Sequence, residues 1–189
     1  MKHLIKIGTL ASLVLFLSAF TTIAVEKVMV KDSNITWLGK KVTGQHEGTI
    51  TLESGYFNMD GDQIVGGEFV IDMTSITVTD LKAGKGKEKL EGHLKSDDFF
   101  GVANHPKATL TINSALKNGA TYTVRGDLTI KNITQPISFE MTMNGNNATA
   151  TVVIDRSKFD VRYGSGSFFD NLGDKTIYDD FELTVNMTL

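Results

Sequence analysis

Histidine, carboxylate and serine side chains are the groups in this chain that could do chemistry, and their spacing argues against most of it. Beyond the first residues stand His46, His93 and His105, with Asp97 and Asp98 close behind His93. Such a set brings zinc to mind, which takes three or four N, S or O ligands in a tetrahedron. No His-x-x-x-His spacing occurs, and the ordinary role of His46 and His93 is to tie loops to strands by hydrogen bonds. Cysteine is absent, which removes disulfides, a catalytic thiol, thiolate metal sites and a lipid-anchoring cysteine together. Tyr163-Gly164-Ser165-Gly166-Ser167 does not match the Gly-x-Ser-x-Gly elbow that exposes a nucleophilic serine between strand and helix. Lys82, Lys85, Lys87 and Lys89 surround Gly84 and Gly86, but Glu88 follows Lys87 where a phosphate loop needs Ser or Thr. That run reads as a solvated charged loop. No cofactor is expected.

The elements around these residues read as strands. Tyr122, Val124, Gly126, Leu128 and Ile130 share one face, while Thr121, Thr123, Arg125, Asp127 and Thr129 share the other. Ile137, Phe139, Met141 and Met143 alternate with Ser138, Glu140 and Thr142. Phe181 to Leu189 alternates in the same way. This period of two marks half-buried strands. Further strands are predicted around Ile35–Gly39, His46–Leu52, Ile64–Asp72, Ala108–Ser114 and Ala148–Ile154, making eight. Asp60-Gly61, Asn118-Gly119 and Asn144-Gly145 supply hairpin turns that tolerate positive φ. Strands with one apolar face must stack or close, and an eight-stranded barrel has room for one small ligand. Asp80 to Phe100 lacks alternation. Leu90 and Leu94 predict a short helix within Lys85–Lys95, in a long loop that reads as a lid closing one mouth of the barrel.

Composition sets the outer limits. The 189 residues allow one domain, and 19 basic against 22 acidic residues exclude a strongly basic nucleic-acid binder. Residues 1–24 read as a signal peptide: Lys2 and Lys6, an apolar run from Ile7 to Phe20, then Thr21-Thr22-Ile23-Ala24. Cleavage after Ala24 would leave a domain over 25–189 with no stable membrane anchor, in the periplasm or secreted.

Several stretches together carry a resemblance to a known family. They are Val42-Thr43-Gly44-Gln45-His46-Glu47-Gly48, Ile71-Asp72-Met73-Thr74-Ser75-Ile76, and Leu90 to Phe100 with His105-Pro106-Lys107-Ala108-Thr109-Leu110. Gly126-Asp127-Leu128-Thr129-Ile130-Lys131, Gln135-Pro136-Ile137 and Asp155-Arg156-Ser157-Lys158-Phe159 follow in order. Across nearly the whole chain after residue 24, the sequence resembles the YceI-like family of exported, lipocalin-like proteins. Asn132 stands where the family usually has Gly, and Asn tolerates positive φ.

The resemblance implies an all-β fold, a single antiparallel eight-stranded lipocalin-like barrel with a hydrophobic tunnel. The ligand it implies is long and apolar: a polyisoprenoid, an isoprenoid quinone or a fatty-acid derivative. The bulky residues expected to face inward and bind it are Trp37, Phe57, Phe69, Tyr122, Phe139, Met141, Met143 and Phe181. Phe99 and Phe100 of the lid segment are expected to join them. The leading expectation is an exported lipid carrier rather than an enzyme. A quinone-presenting electron-transfer or stress-response accessory, and a metal-assisted hydrolase using His46, His93 and Asp97, are the alternatives. A homodimer is left open.

Overall fold

The computed structural model describes residues 24–189, so the expected signal peptide lies outside the described residues except for Ala24. Each alternating segment forms a strand, and each is antiparallel to its neighbours. In chain order these are β1 (Glu26–Met29), β2 (Asp32–Lys41), β3 (Gly44–Asp60), β4 (Gln63–Val78), β5 (Lys107–Asn118), β6 (Thr121–Ile130), β7 (Ile133–Asn144), β8 (Asn147–Asp155) and β9 (Ile177–Thr188). β2 to β9 close into an eight-stranded barrel: β2 pairs with β9 and β3, and β3 pairs with β4. β1 was not expected. It is four residues long, too short to show a period, and pairs with Tyr56–Met59 of β3 beyond the reach of β2.

The turns follow the expected chemistry. Gly61, Gly119 and Gly145 have φ near +60° in the two-residue β3–β4, β5–β6 and β7–β8 connections. The β6–β7 turn places Lys131 and Asn132 at φ 51° and 62°, the left-handed pair a type I′ hairpin requires. Asn suits that region better than Lys, and the Lys131 ammonium is held by the Asp160 carbonyl at 2.8 Å.

Two departures from plain strands shape the interior. In β4, Thr77 opposes Thr49 while Asp72 opposes Thr51, so Met73 to Ile76 bulge out of register. The Asp72 carboxylate fixes this bulge by accepting from the Thr74 amide at 2.9 Å, and the Ser75 hydroxyl in turn accepts from the Thr51 amide at 2.8 Å. A bulge of this kind re-aims side chains; here Met73 and Ile76 both enter the core. In β3, Gly48 lets the chain pass beneath the Trp37 indole. A Cβ there would collide with the Thr77 carbonyl oxygen and lie 2.6 Å from the Trp37 ring. Gly48→Ala is expected to lose about 1–3 kcal/mol, the usual cost of overpacking. Urea unfolding measures it, and a loss below ~0.5 kcal/mol would mean the contact relaxes freely.

The segment between β4 and β5 carries α1 (Lys87–Lys95), close to the expected span. Glu91 Oε1 accepts from the Val78 amide at 2.9 Å, pinning the helix to the end of β4. The chain then folds back through Phe100 N–H to Leu94 C=O at 3.2 Å and Val102 N–H to Lys95 C=O at 2.9 Å. Leu94, Phe99, Phe100 and Val102 are buried as a result. The segment is a cap across one end of the barrel.

Candidate ligand-binding cavity

The inward faces do not fill the barrel. Two cavities remain, of about 130 Å³ and 90 Å³. The first lies under the cap, lined by Trp37, Met73, Ile76, Phe99, Phe100 and Phe181 among others. The second lies deeper, against Phe57, Phe69, Ile112, Phe139, Met141 and Met187. Ile35, Ile71, Leu128, Ile154 and Leu183 line both, so the two are adjoining lobes of one apolar interior, with a neck of branched aliphatic side chains between them. Aromatic rings stiffen the walls. Phe57 meets Phe69 edge-on at 4.9 Å, and Phe100 meets Phe99 at 5.2 Å and Phe181 at 6.3 Å.

Most residues singled out from the sequence stand on this wall. Trp37, Phe99, Phe100 and Phe181 line the first lobe, and Phe57, Phe69, Phe139 and Met141 line the second. Tyr122 and Met143 line neither. Tyr122 points inward but lies beyond the tunnel, at the end opposite the cap, where its hydroxyl donates to the Asp62 carbonyl at 2.5 Å. Met143 packs on the core from the same end of β7. Strand parity assigns a residue to the inner face without saying how far along the barrel it sits.

Arg156 enters the resemblance only as part of Asp155-Arg156-Ser157-Lys158-Phe159, and the structure gives it a role of its own. It is only 2% exposed and borders the first lobe. Its guanidinium donates to the carbonyls of Val161 at 2.8 Å, Ile177 at 3.1 Å and Tyr178 at 3.2 Å. Asp179 Oδ1 lies 3.3 Å away as an ion-pair partner. Burial pulls the guanidinium's proton affinity down, and the charges of Asp179 and Asp155 oppose that pull. The side chain locks a strandless stretch onto β9. Asp155 begins this stretch as the N-cap of a short 3-10 turn, Arg156–Phe159, accepting from the Ser157 amide at 3.0 Å.

The histidines are dispersed. His46 Nδ1 lies 2.7 Å from Asp80 and ties β3 to the start of the cap segment. His93 instead packs edge-on against Tyr163 at 4.3 Å and Phe99 at 5.7 Å, so its expected loop-to-strand tie is an aromatic contact. Among the described residues no three His, Cys, Asp or Glu side chains are grouped to hold a metal ion. Burial alone would raise the Asp80 carboxyl, but hydrogen bonds from His46 and the Glu47 amide outweigh it and hold the group below its ordinary value. A depressed carboxyl contributes stability above its unfolded value and loses it as pH falls through the lower folded value. The Asp80 attachment is therefore expected to persist through mild acid and fail only below the ordinary carboxylate range. Hydrogen exchange at the Glu47 amide tests this against Asp80→Asn. Protection already lost near pH 5 in the parent would contradict it.

A closed antiparallel barrel with an apolar, incompletely filled interior is the architecture of lipocalin-like binding proteins. A family model described as a YceI-like domain matches residues 27–189, and the chain belongs to the YceI-like family. It is 27% identical to Protein YceI of Escherichia coli over 132 residues, 69% of this chain and 68% of that protein. Among solved structures, Burkholderia cenocepacia BcnA aligns with TM-score 0.65 at 21% identity, covering 83% of this chain and 96% of BcnA. A polyisoprenoid binding domain from Saccharophagus degradans aligns with TM-score 0.61 at 15% identity, covering 87% and 97%. No described helix is long and apolar enough to cross a membrane.

Proposed function

We propose that this protein is an exported carrier that buries a long-chain isoprenoid or similar lipid in its barrel interior. The observation that supports this most directly is the pair of adjoining apolar lobes, which together make a tunnel in this reading. Its two lobes share a neck, and its wall is almost wholly hydrocarbon and aromatic. The one charged residue on it, Arg156, has its donors engaged by main-chain carbonyls. The polyisoprenoid binding domain with the same fold and membership of the YceI-like family favour the same class of ligand.

Burial is the mechanism in this reading, and no bond is made or broken. Apolar surface contributes about 25 cal/mol per Å² removed from water, while association costs roughly 4–15 kcal/mol. A ligand burying about 200 Å² would scarcely bind, whereas one burying about 600 Å² gains ~15 kcal/mol. The tunnel therefore selects long chains. Trp37, Phe99, Phe100 and Phe181 would hold one part of the chain, and Phe57, Phe69, Phe139 and Met141 the other. Residues 1–24 would direct export and be removed, giving a mature start at Val25 that N-terminal sequencing can read.

Trp37 is the single tryptophan of the chain and stands on the first lobe. Titration with a long-chain polyprenyl quinone, whose ring quenches indole fluorescence, should give saturable quenching at one ligand per chain. Absence of saturable binding would overturn the reading.

A further inference from the structure

The barrel is not equally closed around its circumference. β3–β4, β6–β7 and β8–β9 are paired along most of their length. β7 and β8 share only the registered pairs Met141–Ala150, Thr142–Thr149, Met143–Ala148 and Asn144–Asn147 next to their turn. Both strands continue well past that point, β7 back to Ile133 and β8 on to Asp155, each paired only on its other side.

Hydrogen-bond alternation shows which groups face the gap. Ile130 and Ile133 flank a two-residue turn and so form a hydrogen-bonded pair. The main-chain groups of Thr134, Pro136, Ser138 and Glu140 therefore point away from β6, toward β8. Pro136 has no N–H to leave unpaired there, as expected of a proline on a free strand edge. By the same rule the main-chain groups of Thr151 and Val153 face the gap from β8. The side chains of all six are exposed. Behind them, Ile137 and Phe139 of β7 and Val152 and Ile154 of β8 line the deep lobe. At its far end the gap is bridged by side chains: Gln135 Nε2 to the Lys158 carbonyl at 3.3 Å and Lys131 Nζ to the Asp160 carbonyl at 2.8 Å.

We propose that this seam is the lateral port of the tunnel, through which an extended apolar chain enters and leaves by displacement of Ile137, Phe139, Val152 and Ile154. This rests on the carrier reading above. The alternative routes are through the barrel ends, and both are fastened. The cap is pinned by the Glu91 contact to Val78 and its own main-chain bonds. The other end is closed by Tyr122 on the Asp62 carbonyl and Gln63 on the Ala115 carbonyl at 2.5 Å each. Opening either end breaks hydrogen bonds that are made. Between the turn-side pairs and the Gln135 and Lys131 bridges, opening the seam parts only apolar side chains where the ladder already stops. A side port also suits a long chain, which can slide in along its length instead of threading through one end.

The absence of cysteine allows a clean test. Continuing the β7–β8 register places Ser138 opposite Val153, both exposed. In the double variant Ser138→Cys/Val153→Cys, a bifunctional methanethiosulfonate reagent bridges the gap and reductant removes it. The control, Thr36→Cys/Thr184→Cys, bridges a registered and exposed β2–β9 pair and leaves the seam alone. Uptake of a long-chain polyprenyl quinone is followed by Trp37 quenching, with the bridge verified by mass. The seam bridge should slow uptake at least tenfold, reductant should restore it, and the control bridge should leave the rate unchanged. An unchanged rate with the seam bridged would overturn the port while leaving the carrier intact, and equal slowing by the control would overturn it too. Failure of the unmodified parent to take up quinone would instead overturn the carrier reading, and the port with it.

Discussion

Leu183→Trp is expected to weaken binding of long polyprenyl chains at least ~100-fold while leaving short-chain analogues nearly unaffected. Leu183 lines both lobes of the tunnel and is half-buried in β9, so the added ring has space in the neck that a packed position would lack. An indole there separates the lobes. A chain confined to one lobe loses its burial in the other, and even about 100 Å² of that is ~2.5 kcal/mol, close to two decades in affinity. Parallel titrations with a series of prenyl quinones of increasing length measure the effect. The parent should gain affinity with length until both lobes are filled, and the variant should stop gaining at about half that length. Equal length dependence in both proteins would mean that the lobes are not joined through this neck.

The largest expected loss of stability comes from Arg156→Leu. Leucine removes the donors from the carbonyls of Val161, Ile177 and Tyr178 and leaves Asp179 without its counter-charge. An unsatisfied buried acceptor costs about 1–3 kcal/mol, and breaking a buried ion pair from one side costs about 3–5 kcal/mol. The variant should lose roughly 4 kcal/mol, which for a domain of this size lowers Tm by about 8–16 °C. Arg156→Lys restores the charge with a single donor group and should recover only part of the loss. Circular dichroism on heating distinguishes these outcomes. A fall of only 1–2 °C in the leucine variant would mean water replaces the guanidinium at little cost.

Strand periodicity made the barrel legible, because a half-buried strand must alternate and the Asp-Gly and Asn-Gly steps must turn. β1 escaped notice because four residues carry no period. The Met73–Ile76 bulge escaped because it is set by side-chain hydrogen bonds to the main chain rather than by hydropathy. The wall of the tunnel was half legible. Parity placed Phe139, Met141 and Phe181 inside, but it also placed Tyr122 and Met143 inside and could not show that they lie past the tunnel's end. Choosing bulky residues left out the aliphatic neck of Ile35, Ile71, Leu128, Ile154 and Leu183. The burial of Arg156, a residue that stood only in a motif, was not legible for a different reason. Charge usually marks the surface, and only a turn rich in unpaired carbonyls makes a buried guanidinium favourable. The seam between β7 and β8 has no sequence signal except Pro136, since alternation continues unchanged along both strands after their pairing stops.

The most direct measurement of the central claim is the identity of what the barrel holds when the protein is isolated from its native host under mild conditions. Native mass spectrometry followed by solvent extraction should find one long-chain isoprenoid or comparable lipid per chain, reduced in Leu183→Trp. An empty barrel that also refuses polyprenyl quinones of every length would contradict the account, as would a bound species that is small and polar.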